Sequence, residues 1–204
     1  MKKKLLILIS LLYHFCNAQS PVINITERGD FISNAYYKDI NNMLDAYEGT
    51  YIYENGNTFF KIVLLKKEMT TYTSDKGQYF EDIIIGEYQY VENGIEKANT
   101  LSDLNQNFSR QRKHKLNGNR FINKNNRAWV CNDCSELEKR LKLIINDVIS
   151  GRFGDFIIRR KTENNQEVIK VLATHFSGKI LIGDEPEQIN FALPEGEFTM
   201  IKQP

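Results

Sequence analysis

The sequence predicts an all-β protein, an antiparallel meander closed into a barrel, with one short helical turn ahead of it. Three observations carry that prediction. From Gly49 onward, short runs of β-branched and aromatic residues alternate with Asn/Gly clusters at hairpin spacing. Eight to ten such runs can be counted, the number expected of a barrel or sandwich. Several also hold unbroken apolar cores, Ile62-Val63-Leu64-Leu65, Ile83-Ile84-Ile85 and Phe156-Ile157-Ile158. A simple meander buries one face of each strand, so such cores imply an outer wall covered by an arm, a helix or a partner.

Residues 41–47 suggest a helical turn with Leu44 and Tyr47 on one face. Residues 50–53 then pair with 58–66 across Glu54-Asn55-Gly56-Asn57. A loop at 74–77 leads to a strand over 79–91, which turns at Asn93-Gly94 into 95–98. Residues 99–113 are polar and irregular. A short strand at 115–116, a turn at 117–119 and strands at 120–122 and 127–131 follow. Further strands are predicted at 141–145, 155–161, 167–174, 179–182, 188–193 and 198–202.

Residues 135–148 are ambiguous. Ser135-Glu136-Leu137-Glu138 has the form of a capping box, and Leu137, Leu141, Ile144 or Ile145, and Val148 recur at helical spacing. Leu141, Leu143 and Ile145 equally alternate as in a strand, and the hairpins on either side favour the strand.

Residues 1–18 have the three parts of a secretory signal peptide: Lys2, Lys3 and Lys4, an apolar stretch to Phe15, and small residues before a cut at Gln19. The expected product is exported to the periplasm, the outer-membrane surface or the medium. Residues 19–34 then form an extended arm and 35–204 one barrel domain. No later stretch is apolar enough to span a membrane. Three of the 27 basic residues and none of the 26 acidic ones lie in the leader, so residues 19–204 carry a net charge of −2. That balance argues against nucleic acid as a partner.

Candidate chemistry is sparse. Cys131 and Cys134 are an even pair in a chain read as exported, which predicts a disulfide worth about 2 kcal/mol because its loop is so short. The same Cys-x-x-Cys spacing serves redox sites, but that chemistry needs a helix N-terminus after a strand, and the surroundings read as antiparallel strands. A zinc site needs two more ligands, and His114 and His175 sit at unrelated spacings. No Gly-x-Ser-x-Gly elbow exists for nucleophilic hydrolysis. Two carboxylates brought together at a barrel mouth remain open as a hydrolytic site. No catalytic, metal-binding or cofactor-binding residue is predicted.

Two other features suit binding. Arg110, Arg112, Lys113, His114 and Lys115, continued by Arg120, Lys124 and Arg127, form a basic stretch without an acid, either a solvated loop or a contact for an anionic glycan or envelope component. Asp184, Glu185 and Glu187 make a short acidic turn without the spacing of a calcium loop. Alternating aromatics, among them Tyr51, Phe60, Tyr88, Tyr90 and Trp129, either line an apolar pocket or fill a solid core.

Four stretches together resemble a family of exported Gram-negative bacterial proteins known only as a domain of unknown function. They are Asn17-Ala18-Gln19, Leu44-Asp45-Ala46-Tyr47-Glu48-Gly49-Thr50-Tyr51, Gly86-Glu87-Tyr88-Gln89-Tyr90, and Cys131-Asn132-Asp133-Cys134 leading to Arg140-Leu141-Lys142-Leu143. That likeness implies no activity. Gly49-Thr50-Tyr51 after a helical turn is also similar to the opening of lipocalin-like barrels, with Tyr where those carry Trp. The second likeness implies a non-catalytic module for a small apolar or amphipathic ligand. The rival expectations are an envelope protein–protein or polyanion interaction module and a carboxylate-based hydrolase.

Overall fold

The computed structural model describes residues 20–176, 180–182, 185–187 and 191–204. Residues 1–18, read from the sequence as a signal peptide, lie outside the described residues. Thirteen strands are present among those described: β1 (Val22–Asn24), β2 (Tyr36–Lys38), β3 (Gly49–Asn55), β4 (Thr58–Ser74), β5 (Gly77–Glu92), β6 (Ile95–Asn99), β7 (Leu116–Ile122), β8 (Arg140–Asp147), β9 (Arg152–Glu163), β10 (Gln166–His175), β11 (Ile180–Ile182), β12 (Glu185–Glu187) and β13 (Gly196–Lys202).

Eight of them close an antiparallel barrel in the order β3-β4-β5-β7-β8-β9-β10-β13. The seam is Ile201 opposite Ile52 and Lys202 opposite Tyr51, so the last strand returns to the first. Closure removes the sheet edges that an open meander would expose. The long β5 organises one side. Beyond β4, its other edge is shared by β2 at Phe80 and Glu81, β7 at Ile84 to Gly86, and β6 at Gln89 to Glu92.

Side-chain alternation sorts the faces. On β8, Leu141, Leu143 and Ile145 join the core, while Lys142 and Ile144 face outward. The interior is filled by side chains. The Phe60 ring lies 5.7 Å from Tyr88, 6.1 Å from Tyr90 and 6.5 Å from Phe156, and Phe156 is 6.3 Å from Phe198. Phe60, Ile62, Leu64, Tyr88 and Phe156 are all fully buried. Gly86 permits this closeness, since a Cβ there would meet Leu64 Cδ2 at 2.6 Å and the Val63 carbonyl oxygen at 2.8 Å.

The unbroken apolar runs have their cover. Residues of the N-terminal arm and the loop 101–114 lie on the outward face of β5, so Ile83 and Ile85 are as buried as Ile84. The arm is not a loose tail: β1 pairs in parallel with β2, and Ile25 is buried. At one barrel end Lys66 bridges Asp39 at 3.3 Å and Asp45 at 2.5 Å, while Asp82 accepts from the Tyr36 hydroxyl and from the Asp39 and Met69 amides.

The structure corrects several expectations. The helical turn at 41–47 is a 3-10 turn of three residues, Asp45–Tyr47, although Leu44 and Tyr47 do enter the core. Residues 117–119 are not a turn but an irregularity inside β7. Gly118 runs so close to β8 that a Cβ would lie 2.8 Å from the Lys142 carbonyl oxygen. No strand forms at 127–131. The carbonyls of Asn123, Lys124 and Trp129 instead turn toward the guanidinium of Arg140, which is fully buried. Residues 140–147 are the strand that the hairpins favoured, and Leu137, which a helix face would bury, is 89% exposed. Of the acidic stretch, Glu185 and Glu187 lie in β12, paired with β11, and Asp184 lies outside the described residues. Residues 191–193 are not a strand, and 179 and 188–190 lie outside the described residues.

Candidate binding groove

A concavity lined by both charged and aromatic side chains lies on the outer barrel wall. It has a volume of about 780 Å³. Its floor is the outward face of β7, β8 and β9, through Asn117, Ile144 and Asp155. One bank is the arm at Ile25 to Gly29, with Tyr72 and Tyr79 of the β4–β5 hairpin stacked at 4.9 Å. Phe176, just past β10, lies at the opposite side, its amide donating to the Phe153 carbonyl at 2.8 Å.

Behind the floor sits Glu81, 1% exposed. Arg112 donates to it through Nε and Nη2, both at 2.8 Å, in a bidentate fork. Arg28 Nη1 adds a bond of 3.1 Å and Asn119 Nδ2 one of 3.0 Å. One carboxylate therefore holds the arm, the 101–114 loop and β7 together. Burial works against the Arg112 charge, but the Glu81 hydrogen bond and field outweigh it and leave its pKa raised. Burial, then the Glu81 charge, raises the Tyr79 phenol, so this ring stays neutral. Arg28 lies 4.5 Å above the Tyr37 ring and 4.7 Å above Tyr79, which fixes its plane. Four cations, Arg28, Arg112, Arg120 and Lys142, line the groove against one carboxylate, Asp155. Asp155 is occupied by Lys142 at 2.5 Å, and Arg120 is exposed with no carboxylate partner among the described residues.

The basic stretch is thus split rather than presented as one patch. Arg112 turns inward to Glu81. His114 Nδ1 meets Glu87 Oε1 at 2.8 Å, with both side chains fully buried and Phe108 edge-on at 4.8 Å. Lys124 pairs with Glu136 at 3.2 Å, while Arg110, Lys113 and Arg127 are exposed. His175, on the other hand, bonds Glu195 at 2.7 Å on the surface. Sequence reading did not single out Arg28, Tyr72, Glu81 or Asn119. The available signal was Glu81-Asp82 set between Tyr79-Phe80 and Ile83-Ile84-Ile85, a pair of acids that burial obliges to find partners.

Cys131 and Cys134 are joined by a disulfide, with Cα atoms 5.4 Å apart. Asp133 lies close to both sulfurs, but the bond consumes the thiols, so the cluster offers no thiolate ligand. The disulfide loop is pinned by Arg159, which donates to Asp133 at 2.9 and 2.8 Å and to Glu138 at 2.5 Å. Reducing the disulfide is expected to lower stability by about 2 kcal/mol, read by denaturant unfolding with and without reductant.

The Arg159 hydrogen bonds hold the pKa values of Asp133 and Glu138 below the ordinary carboxylate range. A depressed carboxylate contributes stability that is present above its unfolded pKa and lost as pH falls through the folded one. The double variant Asp133→Asn, Glu138→Gln should therefore be less stable than the parent at neutral pH and show a shallower loss of stability on acidification below about pH 4. Parallel acid limbs for the two proteins would contradict this.

Among the described residues, no helix is long and apolar enough to cross a membrane. Fold and groove together define an eight-stranded up-and-down barrel, filled inside and concave on its outer wall. The chain belongs to a family of unknown function, DUF6705, whose model matches residues 1–203. No curated protein and no solved structure matches it.

Proposed function

We propose that this is an exported, non-catalytic binding module that holds a small amphipathic ligand in the outer groove. The observation that carries the reading is the groove itself: about 780 Å³, with four cations against one carboxylate and the Tyr72, Tyr79 and Phe176 rings. Cavities of that size suit small molecules, and the mixture of rings and fixed charges suits a ligand with an apolar body and an anionic end. The leader-like residues 1–18 and the cysteine pair support export, and the sequence resemblance supports a Gram-negative envelope. Strand order and the Gly49-Thr50-Tyr51 opening support a lipocalin-like barrel. The filled interior favours a ligand outside it rather than in the lumen.

Committed acids weigh against hydrolysis. Glu81, Asp82, Asp39 and Asp147 each accept several hydrogen bonds, and Glu87 is taken by His114. A general acid or base needs a free carboxyl within reach of substrate. The rival, an interaction module for an envelope protein or anionic glycan, would use the arm or the basic stretch. It is weakened because the arm is docked and Arg112 and His114 face inward.

The test is native mass spectrometry of protein purified from its own envelope, compared with the denatured mass. A discrete extra mass that is lost in Phe176→Asp is the expected result. An extra mass retained in that variant would move the ligand out of the groove, and none at all would favour the protein partner.

A further inference from the structure

The groove has a direction. At one end Arg28 and Arg112 converge on the buried Glu81. The Glu81 fork uses Nε and Nη2 of Arg112, Nη1 has no hydrogen-bond partner among the described residues, and 27% of the side chain remains exposed. Two guanidiniums against one carboxylate leave a net positive charge, held in fixed orientation by that carboxylate and by the Tyr37, Tyr72 and Tyr79 rings. Arg120 adds a further exposed cation on the same wall, with no ion-pair partner among the described residues. Guanidinium donors in a fixed plane suit a carboxylate or phosphate oxygen better than a diffuse charge does.

The other end is apolar. Phe176 is 45% and Phe153 50% exposed. Phe153 is two residues from Asp155 and so shares the outward face of β9 with the groove floor. Val148 and Ile149, 41% and 43% exposed, occupy the turn between β8 and β9 at the same end. Large apolar side chains clustered beside a groove are a recognition surface more often than an accident. From β7, where Asn119 touches Glu81, to Phe176 beyond β10 is three strand spacings, roughly 15 Å.

Resting on the groove reading above, we propose that the ligand is a single-chain anionic lipid. Its carboxylate or phosphate lies against Arg112, Arg28 and Arg120, and its acyl chain runs across Ile144 toward Phe153 and Phe176. The anion replaces water at donors that Glu81 leaves unused, and the chain covers rings that are otherwise wet. A neutral chain of equal length gains only the second term, and a short anion only the first.

The test is calorimetric titration of the mature protein with laurate, lauroyl lysophosphatidate, dodecanol and inorganic phosphate, each below its aggregation threshold, and with vesicles containing anionic phospholipid. Laurate or the lysophosphatidate should bind at least tenfold more tightly than dodecanol or phosphate, and the stronger of the two identifies the head group. Arg120→Glu should weaken the anionic lipids at least tenfold and leave dodecanol unchanged. Phe153→Ser with Phe176→Ser should weaken both. Neither change removes a buried partner, so folding is preserved, and circular dichroism checks it. Equal affinity for laurate and dodecanol, or indifference to Arg120→Glu, overturns the anionic assignment while leaving an apolar groove ligand standing. Binding of none of the soluble probes, or lipid affinities untouched by either variant, overturns both. Binding to vesicles alone, with no response to the monomeric lipids, overturns the single-chain ligand and points to a membrane surface.

Discussion

Glu81→Ala is expected to lower stability by about 3–5 kcal/mol, the loss typical of removing one partner from a buried ion pair. The side chain is 1% exposed and accepts from Arg112 twice, Arg28 once and Asn119 once. Truncation leaves two partly buried guanidiniums without their shared carboxylate, and it removes the one side chain that bonds the arm, the 101–114 loop and β7 at once. Denaturant unfolding reads the magnitude. Limited proteolysis reads the place: cleavage within 25–34 and 101–114 should precede cleavage of the barrel strands. Glu81→Gln should fall between the two, since an amide oxygen still accepts but carries no charge. A loss below about 1 kcal/mol would mean that the cluster behaves as an exposed ion pair.

Phe156→Ala is expected to cost a similar amount, about 3–5 kcal/mol, by a different mechanism. The ring is fully buried and packs against Phe60 and Phe198, so its removal opens a void that the closed barrel can collapse onto only in part. The informative readout is the contrast with binding. At temperatures where the variant remains folded, affinity for an amphipathic ligand should equal that of the parent, because Phe156 faces inward while Asp155 faces the groove. A change in affinity of tenfold or more would place the ligand inside the barrel.

Much of this fold is readable one residue at a time. Asn93 and Gly94 both take positive φ, 53° and 74°, which is the conformation a two-residue hairpin loop requires and these two residue types accept most readily. The strands on either side then follow from alternation. Double-sided burial of 83–85 was also readable, because three consecutive isoleucines cannot all face one core. The arm was one of the covers the pattern allowed, but the loop 101–114 was not readable as another, since it is a polar segment without periodicity.

Other features failed for reasons that can be named. Arg140 reads as an ordinary charged residue at a strand start, yet it is fully buried, because carbonyls up to 17 residues away fold back to accept its protons. Gly118 between two asparagines reads as a turn, but its missing Cβ is required by β8, a neighbour more than twenty residues later in the chain. The groove is less legible still. Arg28, Tyr72, Arg112 and Lys142 come from an arm, a hairpin, a loop and a strand, and no spacing relates them.

The sequence by itself determined the all-β class, the hairpin meander, the cysteine pair that becomes a disulfide and the double-sided burial of β5. All of these are consequences of local backbone preference and of the period-two pattern, which act between near neighbours. Tertiary structure alone decided that the barrel closes on eight strands, that its lumen is filled and that the candidate groove lies on its outer wall. Those outcomes depend on how rings from distant strands share one volume and on which cations reach one buried carboxylate, and both are set by packing in three dimensions rather than by order along the chain.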